Sequence, residues 1–138
     1  RLLNMGIDSF LVATSVQLVC SQRLVRRICK GCKEETKLPA PSVLLELGFA
    51  PDQVEGLKIY RGAGCNTCGG SGYKGRVGLY EVMEVTEELR ELILVGASAL
   101  ELRRKAIDEG MITLRQSGLR KVKDGLTTID EVVRETVK

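Results

Sequence analysis

Apolar residues near the start of the chain follow two patterns, which predict a helix and then a strand. Residues 10–16 are apolar on nearly every side of a helix, and Asp8 and Ser9 are suitable N-cap residues for it. Residues 18–28 combine β-branched side chains with a partial alternation of apolar and polar positions, which is typical of a strand. This strand leads directly into Cys29, the first of four paired cysteines.

Residues 33–64 contain few apolar positions and several turn signals. Pro39 and Pro41 favour an extended entry into this segment, because proline restricts both itself and the residue before it. With so few apolar side chains the segment would be a poor independent fold, so we expect a bound metal to supply part of its stability. The pattern predicts a helix over residues 43–47 capped by Ser42 and ended by Gly48, a turn at residues 51–52 and a strand over residues 57–60.

After residue 75 the pattern predicts one strand, over residues 76–85, and then four helices. The helices start at N-cap or capping-box signals and stop at glycines, and we expect them to pack as a compact bundle. The first helix follows Thr86 and stops at Gly96, the second follows Ser98 and stops at Gly110, the third spans residues 113–123 and stops at Gly125, and the last follows Thr128 with Ile129, Val132, Val133 and Val137 on one side.

Composition limits the classes of function. The 138 residues suit one ordinary domain or two small ones, and the 4% aromatic content means that Leu, Val and Ile must fill the core. No apolar stretch approaches the length of about 20 residues that spans a bilayer. The net charge is +3, and one zinc ion bound by four thiolates would lower it to about +1, which gives no reason to expect nucleic-acid binding.

Four of the five cysteines form two C-x-x-C pairs, Cys29/Cys32 and Cys65/Cys68, and the chain contains no histidine. Two such turns can direct four sulfurs at one point and complete a tetrahedral Zn²⁺ site, so the spacing predicts structural zinc. An iron–sulfur cluster uses the same ligand set and stays open as an alternative. The remaining cysteine, Cys20, lies in an apolar run and is expected to be a small buried hydrophobic residue.

Other uses of the cysteines are less favoured. Disulfides suit a short secreted chain, but five is an odd number and no signal peptide is visible. A redox pair would use one C-x-x-C and leave the other idle, and four protein ligands leave no open position for catalytic zinc. The glycine-rich residues 69–75 are expected to form turns whose amides approach the sulfurs; no G-K-[ST] follows them, which argues against a phosphate-binding loop.

Four stretches together resemble a known family: residues 1–7 (RLLNMGI), 21–33 (SQRLVRRICKGCK), 64–82 (GCNTCGGSGYKGRVGLYEV) and 110–132. They are similar to the C-terminal part of the type II secretion and type IV pilus assembly ATPases, which are bacterial motor proteins. Residues 110–132 look more like the pilus assembly branch. The chain begins at Arg1 without a methionine, and residues 1–6 resemble a helix end capped by Gly6, so we expect a fragment of a longer protein.

The resemblance implies an α+β fold with three parts. Residues 1–28 would be the end of a RecA-like ATPase domain, residues 29–75 an inserted tetracysteine zinc subdomain, and residues 76–138 a strand followed by a small helical bundle. The metal ligands would be Cys29, Cys32, Cys65 and Cys68.

The resemblance also implies the cofactors and partners of the parent protein. ATP and Mg²⁺ would bind only in the full-length parent, whose nucleotide motifs lie upstream, so this piece should not hydrolyse ATP alone. The parent would be a cytoplasmic homo-hexamer, peripheral at the bacterial inner membrane through a platform protein. Arg23 and Arg26 fall in the family's Q-R-L-V-R segment. Their role stays open between a contact with nucleotide or a neighbouring subunit and a structural role in packing or surface ion pairing.

Two other classes of zinc module compete with this interpretation. A nucleic-acid-binding module would need clustered basic and aromatic residues between the cysteine pairs, where the aromatic residues are Phe49 and Tyr60. An Hsp40-like chaperone domain carries several C-x-x-C-x-G-x-G repeats, and residues 65–72 match that pattern while the first cysteine pair does not. Type II secretion is the alternative within the family.

Overall fold

A computed structural model describes residues 2–136 of the chain. Arg1 and Val137, which are predicted to lie in terminal helical segments, lie outside the described residues. Residues 2–136 form seven helices and four strands, which makes the fold mixed α+β, as predicted. In chain order these are α1 (Ser9–Ser15), β1 (Leu18–Ile28), β2 (Lys33–Thr36), α2 (Pro41–Leu47), α3 (Pro51–Val54), β3 (Ile59–Gly62), β4 (Tyr73–Glu84), α4 (Glu87–Leu94), α5 (Ala99–Asp108), α6 (Leu114–Lys123) and α7 (Ile129–Glu135).

The strands form two two-stranded sheets, β1 with β4 and β2 with β3. The amide of Cys29 donates to the carbonyl of Gly72 at 2.9 Å, and the amide of Val85 donates to the carbonyl of Gln17 at 2.9 Å. Each end of β1 therefore pairs with the opposite end of β4, so these strands are antiparallel. The second sheet is also antiparallel, with Lys33 opposite Gly62 and Thr36 opposite Ile59.

Local sequence signals locate most elements correctly. Strand β1 has its predicted bounds, and the three predicted caps of the C-terminal half are confirmed. The side chains of Thr86, Ser98 and Thr128 each accept a hydrogen bond from the backbone amide three residues later. These bonds satisfy amides that the first turn of a helix otherwise leaves without a partner.

Strand β2 and helix α3 were missed by the sequence analysis. Strand β2, Lys33–Thr36, lacks an apolar alternation and depends on pairing with β3, where Arg61 Nε donates to Glu34 Oε1 at 2.8 Å. Helix α3, Pro51–Val54, occupies the position of a predicted turn, because the fixed φ of Pro51 also suits the first residue of a helix.

Two other predictions are wrong. Ser42 does not cap α2, since this helix begins at Pro41 with Ala40 at the N-cap position. Cys20 is exposed rather than buried. Its neighbours on β1, Leu18 and Val19, are exposed as well, because a two-stranded sheet covers little of its own surface.

The chain divides into two compact units. The first unit consists of Arg1–Ser21 and Glu81–Thr113, and the second of Gln22–Tyr80 and Leu114–Lys138. Helices α4 and α5 belong to the first unit and α6 and α7 to the second, so the expected single bundle of four helices is not confirmed. The predicted division at residues 28 and 75 stays a prediction.

Each unit has its own core. In the second unit, apolar side chains of the segment between the cysteine pairs pack with side chains of α6 and α7, so the helices supply core that this segment lacks. None of the helices over residues 2–136 is long and apolar enough to cross a membrane. The core of the first unit is Ala13, Val85, Leu89, Ile93 and Ala106, and that of the second is Leu44, Phe49, Leu57, Ile59, Leu119, Val122 and Val132.

Helix α4 offers a matched test of the first core. Leu89 is 0% exposed and Leu94 is 46% exposed on the same helix. We predict that Leu89→Ala lowers the free energy of unfolding by about 3 kcal/mol, because it leaves a cavity, and that Leu94→Ala lowers it by less than about 1 kcal/mol. Urea denaturation of both variants measures the difference, and equal losses would contradict this description of the core.

Candidate metal centre

Two turns of the second unit carry the cysteine pairs. The first turn joins β1 to β2 and places Cys29 directly after one strand and Cys32 directly before the next. The second turn lies between β3 and β4 and carries Cys65 and Cys68. Strand pairing brings the turns together, because each of the two sheets contributes one strand next to each turn.

The structure brings all four predicted ligands into one cluster. Their sulfurs lie within 4.8 Å of one another, with Cys29 to Cys65 at 3.7 Å, Cys32 to Cys68 at 3.8 Å and Cys65 to Cys68 at 3.7 Å. A tetrahedral zinc ion with bonds of about 2.3 Å requires sulfurs about 3.8 Å apart. All four cysteines are free, so the donor atoms and their spacing fit a tetrahedral metal ion.

Backbone amides point at two of the sulfurs. The amide of Gly64 donates to Cys32 Sγ at 3.3 Å, and the amides of Cys65 and Gly72 each donate to Cys68 Sγ at 3.2 Å. Gly64 and Gly72 have φ values of +99° and +81°, a conformation that other residues rarely adopt. This confirms the expectation that glycines beside the cysteine pairs let amides approach sulfur.

Glycine is required here for a second reason, the close approach of two backbones. A Cβ atom on Gly62 would overlap the carbonyl oxygen of Gly72, and a Cβ on Gly72 would overlap the carbonyl oxygen of Gly62. One step nearer the cysteines, a Cβ on Gly64 would lie 2.9 Å from the carbonyl oxygen of Gly70. The end of β3 and the loop before β4 can therefore pack together only through glycines.

The thiols differ in pKa because their surroundings differ. Hydrogen bonds from the amides of Cys65 and Gly72 lower the pKa of Cys68 to about 6, and burial, which raises this pKa, offsets only part of their effect. Burial, partly offset by the amide of Gly64, raises the pKa of Cys32 to about 12. The amide of Cys68 lowers the pKa of Cys65. Because thiolates this close repel each other, a cation between them is needed to hold all four deprotonated at neutral pH.

Basic side chains lie beside the cysteine cluster. A cleft with a volume of about 330 Å³ adjoins Cys29 and is lined by Arg27, Lys30, Lys74 and Arg76. Four thiolates around one divalent ion would carry a charge of −2, so these basic side chains would stabilise the site if such an ion were bound.

The structure assigns a contact to one of the two arginines whose roles were open. Arg26 pairs with the buried carboxylate of Glu131, with Nη2 at 2.7 Å from Oε1. Arg23 is exposed and donates to the carbonyl of Gln22 at 3.2 Å. In the sequence Glu131 stands out only as part of a capping box, because a contact between residues so far apart in sequence has no local signal.

Comparison with known proteins places the chain in a family. The family described as "Type II/IV secretion system protein" matches residues 1–134. The chain is 48% identical to the type IV pilus assembly ATPase PilB of Myxococcus xanthus over 136 residues, which is 99% of the chain and 24% of that protein. It is 44% identical to the protein of the same name from Thermus thermophilus over 138 residues, covering 100% of the chain and 15% of that protein.

A secretion protein is similar over the same length. The type II secretion system protein E of Pseudomonas aeruginosa is 40% identical over 136 residues, covering 99% of the chain and 26% of that protein. The chain thus spans about a quarter, or less, of the length of the relatives that it matches. The match extends through both cysteine pairs and through both compact units. This chain belongs to the family of type II/IV secretion system proteins.

Proposed function

We propose that Cys29, Cys32, Cys65 and Cys68 bind one structural Zn²⁺ ion. The convergence of four free sulfurs at tetrahedral spacing supports this proposal, together with the amides that favour their thiolate forms. Four protein ligands would leave no open position on the metal, so zinc would supply folding energy and stiffness rather than chemistry. An iron–sulfur cluster uses the same ligands, and elemental analysis separates the two.

We propose further that the chain is the C-terminal part of a hexameric ATPase that drives type IV pilus assembly. Similarity over almost the whole chain to two relatives named as pilus assembly ATPases supports this role. Residues 1–28 would then be the end of a RecA-like domain, residues 29–75 the zinc subdomain and residues 76–138 a strand followed by a C-terminal helical subdomain. ATP and Mg²⁺ would bind in the remainder of the parent, which would be cytoplasmic and peripheral at the inner membrane.

The role of this part in the parent would be mechanical. A motor passes nucleotide-driven domain movement to its partner through elements that do not deform. The second unit has the features of such an element, because its core joins the segment between the cysteine pairs to α6 and α7. We propose that it contacts the platform protein of the inner membrane or a neighbouring subunit of the hexamer.

Type II secretion is the second candidate function. The chain is 48% and 44% identical to the two pilus assembly relatives and 40% identical to the secretion relative, which favours pilus assembly. Membership of this family also favours the ATPase role over a stand-alone nucleic-acid-binding or Hsp40-like module.

The metal proposal predicts one zinc per chain. Replacing both Cys65 and Cys68 with serine should abolish zinc binding and lower the free energy of unfolding, because two of the four ligands are lost. Elemental analysis and thermal unfolding measure both effects. Cys20→Ser is the matched control, since Cys20 is exposed and lies outside the cluster. An unchanged zinc content in the double variant, or iron in place of zinc, would refute the proposal.

The glycine contact predicts a second effect on metal binding. Gly62→Ala should weaken zinc binding about tenfold or more, because its Cβ would push the loop before β4 away from Cys68. Gly31→Ala is the control: its Cβ would meet only ordinary contacts, with Cys65 Sγ at 3.6 Å the nearest, and its φ is not positive. Competition with a coloured zinc chelator measures both affinities, and equal affinities would exclude this role of the contact.

The parent's role can be tested in cells and in its gene. We predict that the reading frame upstream of Arg1 encodes a G-x-x-x-x-G-K-[ST] phosphate-binding loop. In cells lacking the parent, a copy with Cys65→Ser and Cys68→Ser should fail to restore surface pili, whereas the Cys20→Ser copy should restore them. Loss of protein secretion with normal pili would assign the chain to type II secretion instead, and absence of the loop would refute the ATPase parent.

A further inference from the structure

The segment from Leu126 to Glu131, which follows α6 and includes the first residues of α7, contacts the strand that leads into the first cysteine turn. The amide of Ile28 donates to the carbonyl of Leu126 at 2.9 Å, and Thr127 Oγ1 donates to the carbonyl of Arg26 at 2.8 Å. Both strand residues lie within three positions of Cys29. The last residues of β1 are therefore held by a segment about 100 positions away in sequence.

The same segment also holds the second cysteine turn. Tyr73 directly follows Gly72, whose amide donates to Cys68 Sγ. The Tyr73 hydroxyl is hydrogen-bonded to Thr128 Oγ1 at 2.8 Å, and its ring lies 4.2 Å from the guanidinium carbon of Arg26. Since the amide of Cys29 donates to the carbonyl of Gly72, both turns are tied to each other and to this one segment.

Glu131 is at the centre of these contacts. Its side chain is 2% exposed, and its two oxygens accept hydrogen bonds from the Arg26 amide at 2.9 Å, from Arg26 Nε at 3.0 Å and Nη2 at 2.7 Å, and from Arg134 Nη2 at 2.9 Å. Burial alone would raise the pKa of Glu131, but the hydrogen bonds from Arg26 outweigh it and lower that pKa. The carboxylate is consequently charged at neutral pH and accepts hydrogen bonds from both the backbone and the side chain of Arg26.

We infer that Arg26 and Glu131 are positioning residues for the metal centre. Neither has a sulfur contact; they fix the end of β1, and with Tyr73 the start of β4, at the separation that the four sulfurs need. The inference rests on the proposed zinc site. Because coupling is reciprocal, metal binding would in turn strengthen the attachment of α7 to β1.

The alternative is that the Arg26–Glu131 pair stabilises the second unit without affecting the metal. A variant that only destabilises the fold should release zinc faster simply in proportion to its loss of stability. A positioning residue should release zinc faster than another variant of equal stability, because the folded site itself is looser. The rate of zinc release at matched stability therefore separates the two roles.

The test measures zinc release from the full chain into excess chelator. Glu131→Gln should release zinc about tenfold faster than the wild type, since it keeps the shape but removes the charge that holds Arg26. Glu135→Gln, on the same helix and paired with Arg134, is the matched control and should behave as the wild type. Leu119→Ala, a core variant of the same unit, supplies the comparison at lowered stability once urea denaturation has measured both variants.

A milder pair of variants keeps the test valid if Glu131→Gln does not fold. Tyr73→Phe removes only the hydroxyl that bonds Thr128 and should speed zinc release severalfold. Tyr80→Phe, on the same strand, removes an exposed hydroxyl whose partner is Gln22 and should leave the rate unchanged.

The outcomes distinguish this inference from the zinc proposal. Release from Glu131→Gln or Tyr73→Phe at the wild-type rate, or no faster than from a Leu119→Ala protein of equal stability, would overturn the positioning role alone. A wild-type chain that binds no zinc would overturn the zinc proposal and this inference with it. Release from Glu131→Gln and Tyr73→Phe that is faster than from a Leu119→Ala protein of equal stability, with wild-type rates for Glu135→Gln and Tyr80→Phe, supports both.

Discussion

The close approach of two backbones at Gly62 and Gly72 is the constraint on which the cysteine cluster depends. Gly62 ends β3 and Gly72 precedes β4, and neither position has room for a Cβ atom. Through this contact the amide of Gly72 reaches Cys68 Sγ, and its carbonyl accepts from the amide of Cys29. One glycine thus links both cysteine turns. A larger side chain at either position would separate the sulfurs, which a tetrahedral zinc ion would need about 3.8 Å apart.

Electrostatics then determines what can occupy the cluster. Four sulfurs within 4.8 Å cannot all ionise without a cation between them. Burial raises the pKa of Cys32, while the amide of Cys65 lowers the pKa of Cys68. The amides of Gly64 and Gly72 and the basic residues of the adjoining cleft all favour negative charge on sulfur. The protein therefore supplies surroundings that suit a tetrathiolate site, and its basic side chains would balance part of the charge of a bound metal centre.

An element could be predicted from the sequence where the interactions that form it join residues close together in the chain. Strand β1 and the caps at Thr86, Ser98 and Thr128 involve neighbouring residues, so local patterns locate them. The cysteine cluster was predicted across a longer distance because the number and spacing of ligands are themselves a signal. Strand β2 has no such signal, since its charged residues become a strand only by pairing with β3.

The shared core of the second unit reduces the stability that a metal ion at the cysteines would have to supply. The segment between the cysteine pairs was expected to rely on metal for want of apolar residues, yet its Leu44 and Phe49 pack in one core with Leu119 of α6. Lys33 also lies against Tyr60 and beside Gly125, two residues after the end of α6. The segment is therefore supported along its length by α6 and at its base by the cysteines. Because packed cores have low compressibility, we expect a displacement of this segment to be transmitted to α6 as well.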